Sequence, residues 1–157
     1  MSAGVPGAAV IEAMIAKRRL QRVEFDAVGV AALLSTAGRH LESAGLAAGI
    51  DPDGAYSLAY DAARKSATAV LAQQGLRPTS SGGHVVVVEA MRAQFPDAAG
   101  LNSLDRLRRR RNQAEYPQPG SYAAVTAEEV ADVLAVAAAC LASAHVLVDS
   151  GDLRTFR

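Results

Sequence analysis

The chain of 157 residues has no tryptophan, two lysines and a single cysteine, Cys140. One cysteine excludes an internal disulfide and a cysteine-rich zinc site, and the expectation is a reducing, cytoplasmic compartment. Excess charge is missing too: sixteen basic and sixteen acidic side chains cancel. Electrostatic capture of nucleic acid by the whole molecule is therefore not its design, although a local basic site is compatible with neutrality. Long apolar runs are short of a membrane span. The longest uncharged stretch, Val133 to Val148, is Ala-rich and covers sixteen residues, where a span needs about 20 strongly apolar ones, so a buried helix and no membrane association are expected. The first residues lack the basic flank of a signal peptide, and the apolar stretch after them is broken by Glu12. No Walker-type or dinucleotide phosphate loop is present, because Ser80-Ser81-Gly82-Gly83 has neither the lysine nor the flanking strand.

What is there is alanine, 34 residues of it, and a helical period. Half the residues are apolar, which excludes a largely disordered chain. The spacing predicts a helix from Ala8 to about Arg22, with Val10, Ile11, Met14 and Ile15 on one side and basic residues near its end. Asp26 caps a second helix with the stripe Val30, Leu33, Leu34, Ala37, Leu41 and Ala44, ending in the turn cluster 49–54. A third carries Tyr56, Tyr60, Ala63, Ala67, Val70 and Leu71 on one face and stops at Gly75. Residues 77–83 read as a loop. The valines 85–88 favour a strand by propensity, but no partner strand is evident, and 84–95 reads as helix. A further helix starts at Leu101 or Asn102 and ends before Pro117. Thr126 and Glu129 form a capping box that opens a last helix reaching about Ser150. The whole predicts an all-α, up-down bundle of five to six helices: 1–25 as an N-terminal helical extension, 26–151 as the bundle and 152–157 as a tail.

The segment with chemistry in it is LDRLRRRRNQAEY, residues 104–116. Leu104, Leu107, Arg111 and Ala114 share one helix face. Arg106, Arg109 and Arg110 lie elsewhere and are expected to be solvated. Arg111 stands where the pattern calls for an apolar residue, and burying a lone guanidinium is costly. It therefore needs either a structural partner, such as Glu115 four residues on, or a ligand. The five arginines between 106 and 111 point all round the helix, so they cannot all touch one ligand. Fourteen arginines in the chain also suit GC-rich coding.

The segment YSLAYDAARKSATAVLAQQG over 56–75, then Gly83-His84, then RNQAEY over 111–116 and a long final helix, resembles a HEPN domain of the small stand-alone bacterial kind. The resemblance implies an all-α homodimer with the two motifs facing one another across a cleft. It further implies RNA or a nucleotide as ligand, a toxin–antitoxin or defence setting, and an antitoxin or nucleotidyltransferase as partner. Many such proteins are metal-independent ribonucleases whose motif is arginine, a polar residue and then a histidine. The first two correspond to Arg111 and Asn112, while the histidine place holds Tyr116. Tyrosine, with an ordinary pKa of about 10, is a poor base at neutral pH. Arg111, Asn112 and Tyr116 then suit phosphate, sugar and base contacts better than cleavage.

Other candidates follow from position. His84, at a predicted helix start, either lines a phosphate pocket or packs the loop. Tyr60 or Asp61 either orients Arg111, or is respectively a core tyrosine and the surface partner of Lys65. A one-residue shift of register would put Arg110 or Arg108 in place of Arg111. His40 is expected to be solvated, and His145 to be a core or interface histidine. No histidine pair has metal-ligand spacing, so neither a metal nor a cofactor is expected. Three functions remain in competition: a non-catalytic RNA- or nucleotide-binding protein, a metal-independent endoribonuclease using Arg111, and a helical interaction module whose contact surface is Val133 to Val148.

Overall fold

The computed structural model describes residues 5–81 and 83–156. The chain is all-α: six helices make up nearly all of its regular structure, with one two-stranded ribbon beside them. The helices are α1 (Ala8–Ala16), α2 (Ala27–Ala47), α3 (Pro52–Gln73), α4 (Gly83–Gln94), α5 (Leu104–Glu115) and α6 (Ala127–Asp149). A 3₁₀ turn, Leu101–Ser103, leads into α5.

Helix starts follow from local chemistry. The Asp26 carboxylate accepts from the Val28 amide at 3.1 Å, and that of Asp51 from Gly54 at 2.9 Å. Thr126 and Glu129 make both hydrogen bonds of the capping box, at 3.1 and 3.2 Å, satisfying amides that the helix cannot pair itself.

α3 is the centre of the bundle and packs against α2, α4, α5 and α6. It is rich in alanine, and Ala55, Ala59, Ala63 and Ala67 are completely buried. Small side chains on several faces let several helices approach one rod at once. α6 lies along it with Val130, Val133, Ala137, Cys140 and Ala144 turned inward. Burial pushes the Cys140 thiol up to about 12, as befits a small packed residue rather than a reactive one. Gly100 sets how α5 begins. Its φ of +79° and a backbone so close that a Cβ would stand 2.5 Å from the Cys140 nitrogen leave no room for another residue.

The N-terminal region departs from the sequence expectation. α1 ends at Ala16, not near Arg22, because Arg18 turns to φ 57°, a left-handed conformation that breaks a helix. Leu20–Arg22 then runs as β1, antiparallel to β2 (Leu76–Pro78), with Gln21 opposite Arg77. The segment expected as a loop thus contributes β2. Arg19 and Arg22 pair with Glu89 and Glu12 instead of facing a helix end. Ile11, Met14 and Leu20 are buried in the same core as the rest of the bundle. The last residues close over this region: the Phe156 amide donates to the Gln74 carbonyl at 3.0 Å, and Arg22 Nε donates to the Phe156 carbonyl at 3.0 Å. Beneath them Gln74 and Gln94 exchange amide hydrogen bonds at 2.6 and 3.1 Å, which satisfies a buried polar pair.

Candidate nucleic-acid interface

Most of α3 is enclosed, but residues 57, 61, 64, 65 and 68 form a partly exposed stripe along it. Its charged side chains emerge there. Asp61 is their hub. Its carboxylate accepts from Arg64 Nη2 at 2.5 Å, from Lys65 Nζ at 2.6 Å and from His40 Nδ1, on α2, at 2.6 Å. Burial alone would raise the Asp61 carboxyl, yet the hydrogen bonds and charges of Lys65 and Arg64 outweigh it and hold it at about 2. His40, expected to be solvated, is instead the cross-helix partner of this carboxylate, brought there by the packing of α2 on α3. Asp61, expected to reach Lys65 or else Arg111, binds Lys65 and fixes Arg64.

One residue before Asp61, Tyr60 is buried in α3. Oη lies 3.0 Å from His84 Nδ1, and the two rings are 5.7 Å apart. His84 is the second residue of α4, so the start of that helix carries its imidazole to α3. The Arg111 guanidinium also approaches the Tyr60 ring, its Cζ 5.8 Å from the ring centroid, within cation–π range.

Arg111 arrives there because of the apolar row on α5. Leu104 and Leu107 are buried, and the same face, one turn on, brings Arg111 to the rim with a quarter of its side chain exposed. Glu115 pairs with Arg111 Nη2 at 3.0 Å and accepts from Ser57 Oγ at 2.7 Å, tying α5 to α3. Arg111 Nη1 also donates to Asn112 Oδ1 at 3.3 Å.

Two donors stand out. Arg64 Nε and Arg111 Nε are shielded from solvent and have no acceptor among the described residues. Such orphaned donors typically cost about 1–3 kcal/mol each. The Tyr60 phenol is pushed up by burial, against the opposing charges of Arg64, Arg111 and Arg108. His84 is pushed down, first by burial and then by the charges of Arg64 and Arg111. The half-buried group of Arg64, Arg111, Tyr60 and His84 offers positive charge and hydrogen-bonding atoms of the kind that hold an oxyanion.

The remaining sequence candidates fall unevenly. Arg108 faces the same group but donates to Asp105 at 2.9 Å. Tyr116 does not join: its side chain is 71% exposed and borders an open depression with Asn112, Gln113, Pro117, Gln118 and Ser121. Arg106 and Arg109 are exposed as expected, whereas Arg110 is not. It is largely covered and clamps Glu129 at 2.5 Å and the Ala123 carbonyl at 3.0 Å. His145 is exposed on α6 rather than in the core, beside Ala31, Leu34 and Ser35 of α2. Arg64 is the residue that sequence reading missed. The signal available was its i,i+3 spacing from Asp61 on the one stripe of α3 that interrupts the alanines.

No family model, no curated protein and no solved structure matches this chain.

Proposed function

We propose that this chain is a HEPN-type helical protein that binds the phosphates of single-stranded RNA, or of a nucleotide, on its α3–α4–α5 face. One observation carries the reading. Arg64 and Arg111, from different helices, converge on the Tyr60–His84 pair, and each has an Nε donor without an acceptor. Phosphate oxygens are the acceptors such donors lack, and Tyr60 and His84 add a ring edge and further hydrogen-bonding capacity beside them. The order of the motifs along the chain supports RNA in particular, through the HEPN resemblance. Asn112 and Tyr116 border a separate open depression at the end of α5, with room for an adjoining nucleotide. The same resemblance is what supports a toxin–antitoxin or defence setting, with an antitoxin or nucleotidyltransferase as partner.

Fluorescence anisotropy with a short labelled single-stranded RNA, in chelator at low salt, tests it. Arg64→Ala and Arg111→Ala should each weaken binding about tenfold, the equivalent of one charge-assisted hydrogen bond. Two arginine–phosphate contacts give a slope of log affinity against log salt of about −1.4. Equal affinity in wild type and both variants sinks the proposal.

A second reading, a protein-interaction module, draws on α6. Only 28% of the residues in its most apolar stretch are buried, and Ala135, Ala138 and Ala142 are exposed on the outer side. Small side chains of this kind suit close approach of another helix, such as that of a second copy. Sedimentation of wild type against Ala142→Arg decides it: a dimer that the variant dissociates supports the reading, and a monomeric wild type removes it.

A further inference from the structure

On α5, Arg106, Arg109, Arg110 and Gln113 lie on the side opposite Leu104, Leu107 and Arg111. That outer side carries two open depressions. The first, of about 720 Å³ at the start of the helix, is lined by Arg92, Arg106, Arg109 and Arg110 against a single acid, Asp105. The second, of about 670 Å³ at its end, has no charged residue in its lining, and Asn112, Tyr116, Gln118 and Ser121 supply amides, hydroxyls and an aromatic ring. Gln113 belongs to both, so they adjoin at that side chain.

The four arginines are not equally committed. Arg110 is largely covered in its clamp on Glu129. Arg106 and Arg109 are 57% and 70% exposed, in pairs with Asp132 and Asp105, and such surface pairs hold weakly. Arg92, in the last turn of α4, is exposed, and the acid on which its charge acts, Asp105, is already held by Arg108 and Arg109. Three guanidinium groups are thus open to a ligand in the first depression. No side chain caps the start of α5, so the positive end of its dipole adds to their charge. In the second depression Tyr116, 71% exposed, offers an open ring.

We propose that the joined groove is a track for single-stranded nucleic acid, with phosphates along Arg92, Arg106 and Arg109 and a base stacked on Tyr116. A charged half followed by an uncharged, aromatic half suits a strand with an anionic backbone and planar bases. An acidic peptide would use the charge but leave the ring without a planar partner. Arginine–phosphate contacts and stacking read neither sequence nor the 2′-hydroxyl, so DNA and RNA strands bind alike. The track is separate from the Arg64–Arg111 face and does not rest on it.

Fluorescence anisotropy tests it, with a labelled oligo-dT of about eight nucleotides and the matching oligo-U, in chelator at low salt. The two affinities should agree within about threefold, with a slope of log affinity against log salt of about −2 for three contacts. Arg92→Ala and Arg109→Ala, both at exposed positions, should together weaken oligo-dT about tenfold and flatten the slope by about 1.4. Tyr116→Ala should weaken it about tenfold and Tyr116→Phe less than about twofold, because stacking needs the ring and not the hydroxyl. Arg64→Ala and Arg111→Ala should leave oligo-dT binding unchanged. Oligo-dT that does not bind, binding untouched by the Arg92 and Arg109 changes, or Tyr116→Phe as weak as Tyr116→Ala overturns the proposal. RNA held through Arg64 and Arg111 alone overturns it while leaving the reading above in place. Polyglutamate of equal charge that displaces oligo-dT on equal terms assigns the groove to an acidic protein and overturns it as well.

Discussion

The arginine row of α5 and the charged stripe of α3 distribute charge in different ways. On α5 five arginines lie within six positions, and each is matched by a nearby acid: Asp132 for Arg106, Asp105 for Arg108 and Arg109, Glu129 for Arg110 and Glu115 for Arg111. On α3 only Asp61, Arg64 and Lys65 are charged along the stripe, yet they gather His40 from α2 into one partly enclosed network. Charge density in the sequence is thus a poor guide to charge density in space. What matters is whether a side chain leaves its helix toward water, like Arg109, or toward another helix, like Arg64.

The largest effect separating the two regions should come from Asp61→Ala. It leaves Arg64, Lys65 and His40 without their shared acceptor, and the cost is about 2–3 kcal/mol in chemical denaturation, toward the lower end for a broken buried pair because the group is a quarter exposed. A loss below half a kcal/mol would place α3 with the surface pairs of α5. Acid tests the same contact without mutation. The folded carboxyl sits at about 2 against an ordinary 3.8, so its contribution is complete above pH 4 and disappears as the pH falls through 2. Its size is about 2 kcal/mol. Melting temperatures at pH 7 and pH 2.5 should differ less in Asp61→Asn than in the wild type.

On α5 the expected effects are smaller and unequal. Arg110→Ala removes a well-covered clamp on Glu129 and Ala123, and should cost about 1 kcal/mol while increasing amide exchange in the segment before α6. Arg106→Ala breaks an exposed pair with Asp132, both side chains about half exposed, and should change stability by less than about 0.5 kcal/mol. A result reversing that order would mean that enclosure does not decide the worth of these pairs.

Much of the frame is legible in the sequence because it is set locally. The Thr126–Glu129 box, the Asp26 cap and the stop at Gly75 depend on a few neighbouring residues, and they stand where the residues imply. The apolar row through Leu104 and Leu107 also carries Arg111 to the rim as its spacing predicts. The errors have a different origin. α1 extends on paper to Arg22 because neither glycine nor proline punctuates it, and the turn at Arg18 is imposed by the pairing of β1 with a strand 56 positions later. His40 and Arg64 are unremarkable in sequence, since their meeting at Asp61 depends on how α2 seats on α3. Tyr116 follows the end of α5 at Glu115 and is largely exposed, an orientation that helix spacing alone does not give.

The seam of Arg22, Gln74 and Phe156 bears on how the chain folds. Helical bundles owe their speed to contacts close in sequence, and α2–α3 is such a pair. The seam instead joins residues 134 positions apart. During synthesis α2 and α3 can form a hairpin early, while Arg22 and the Gln74 carbonyl wait for Phe156 to emerge. Completion at this corner should therefore be the late step, detectable as slow protection of the Phe156 amide in pulse-labelled refolding after the α3 amides are already protected.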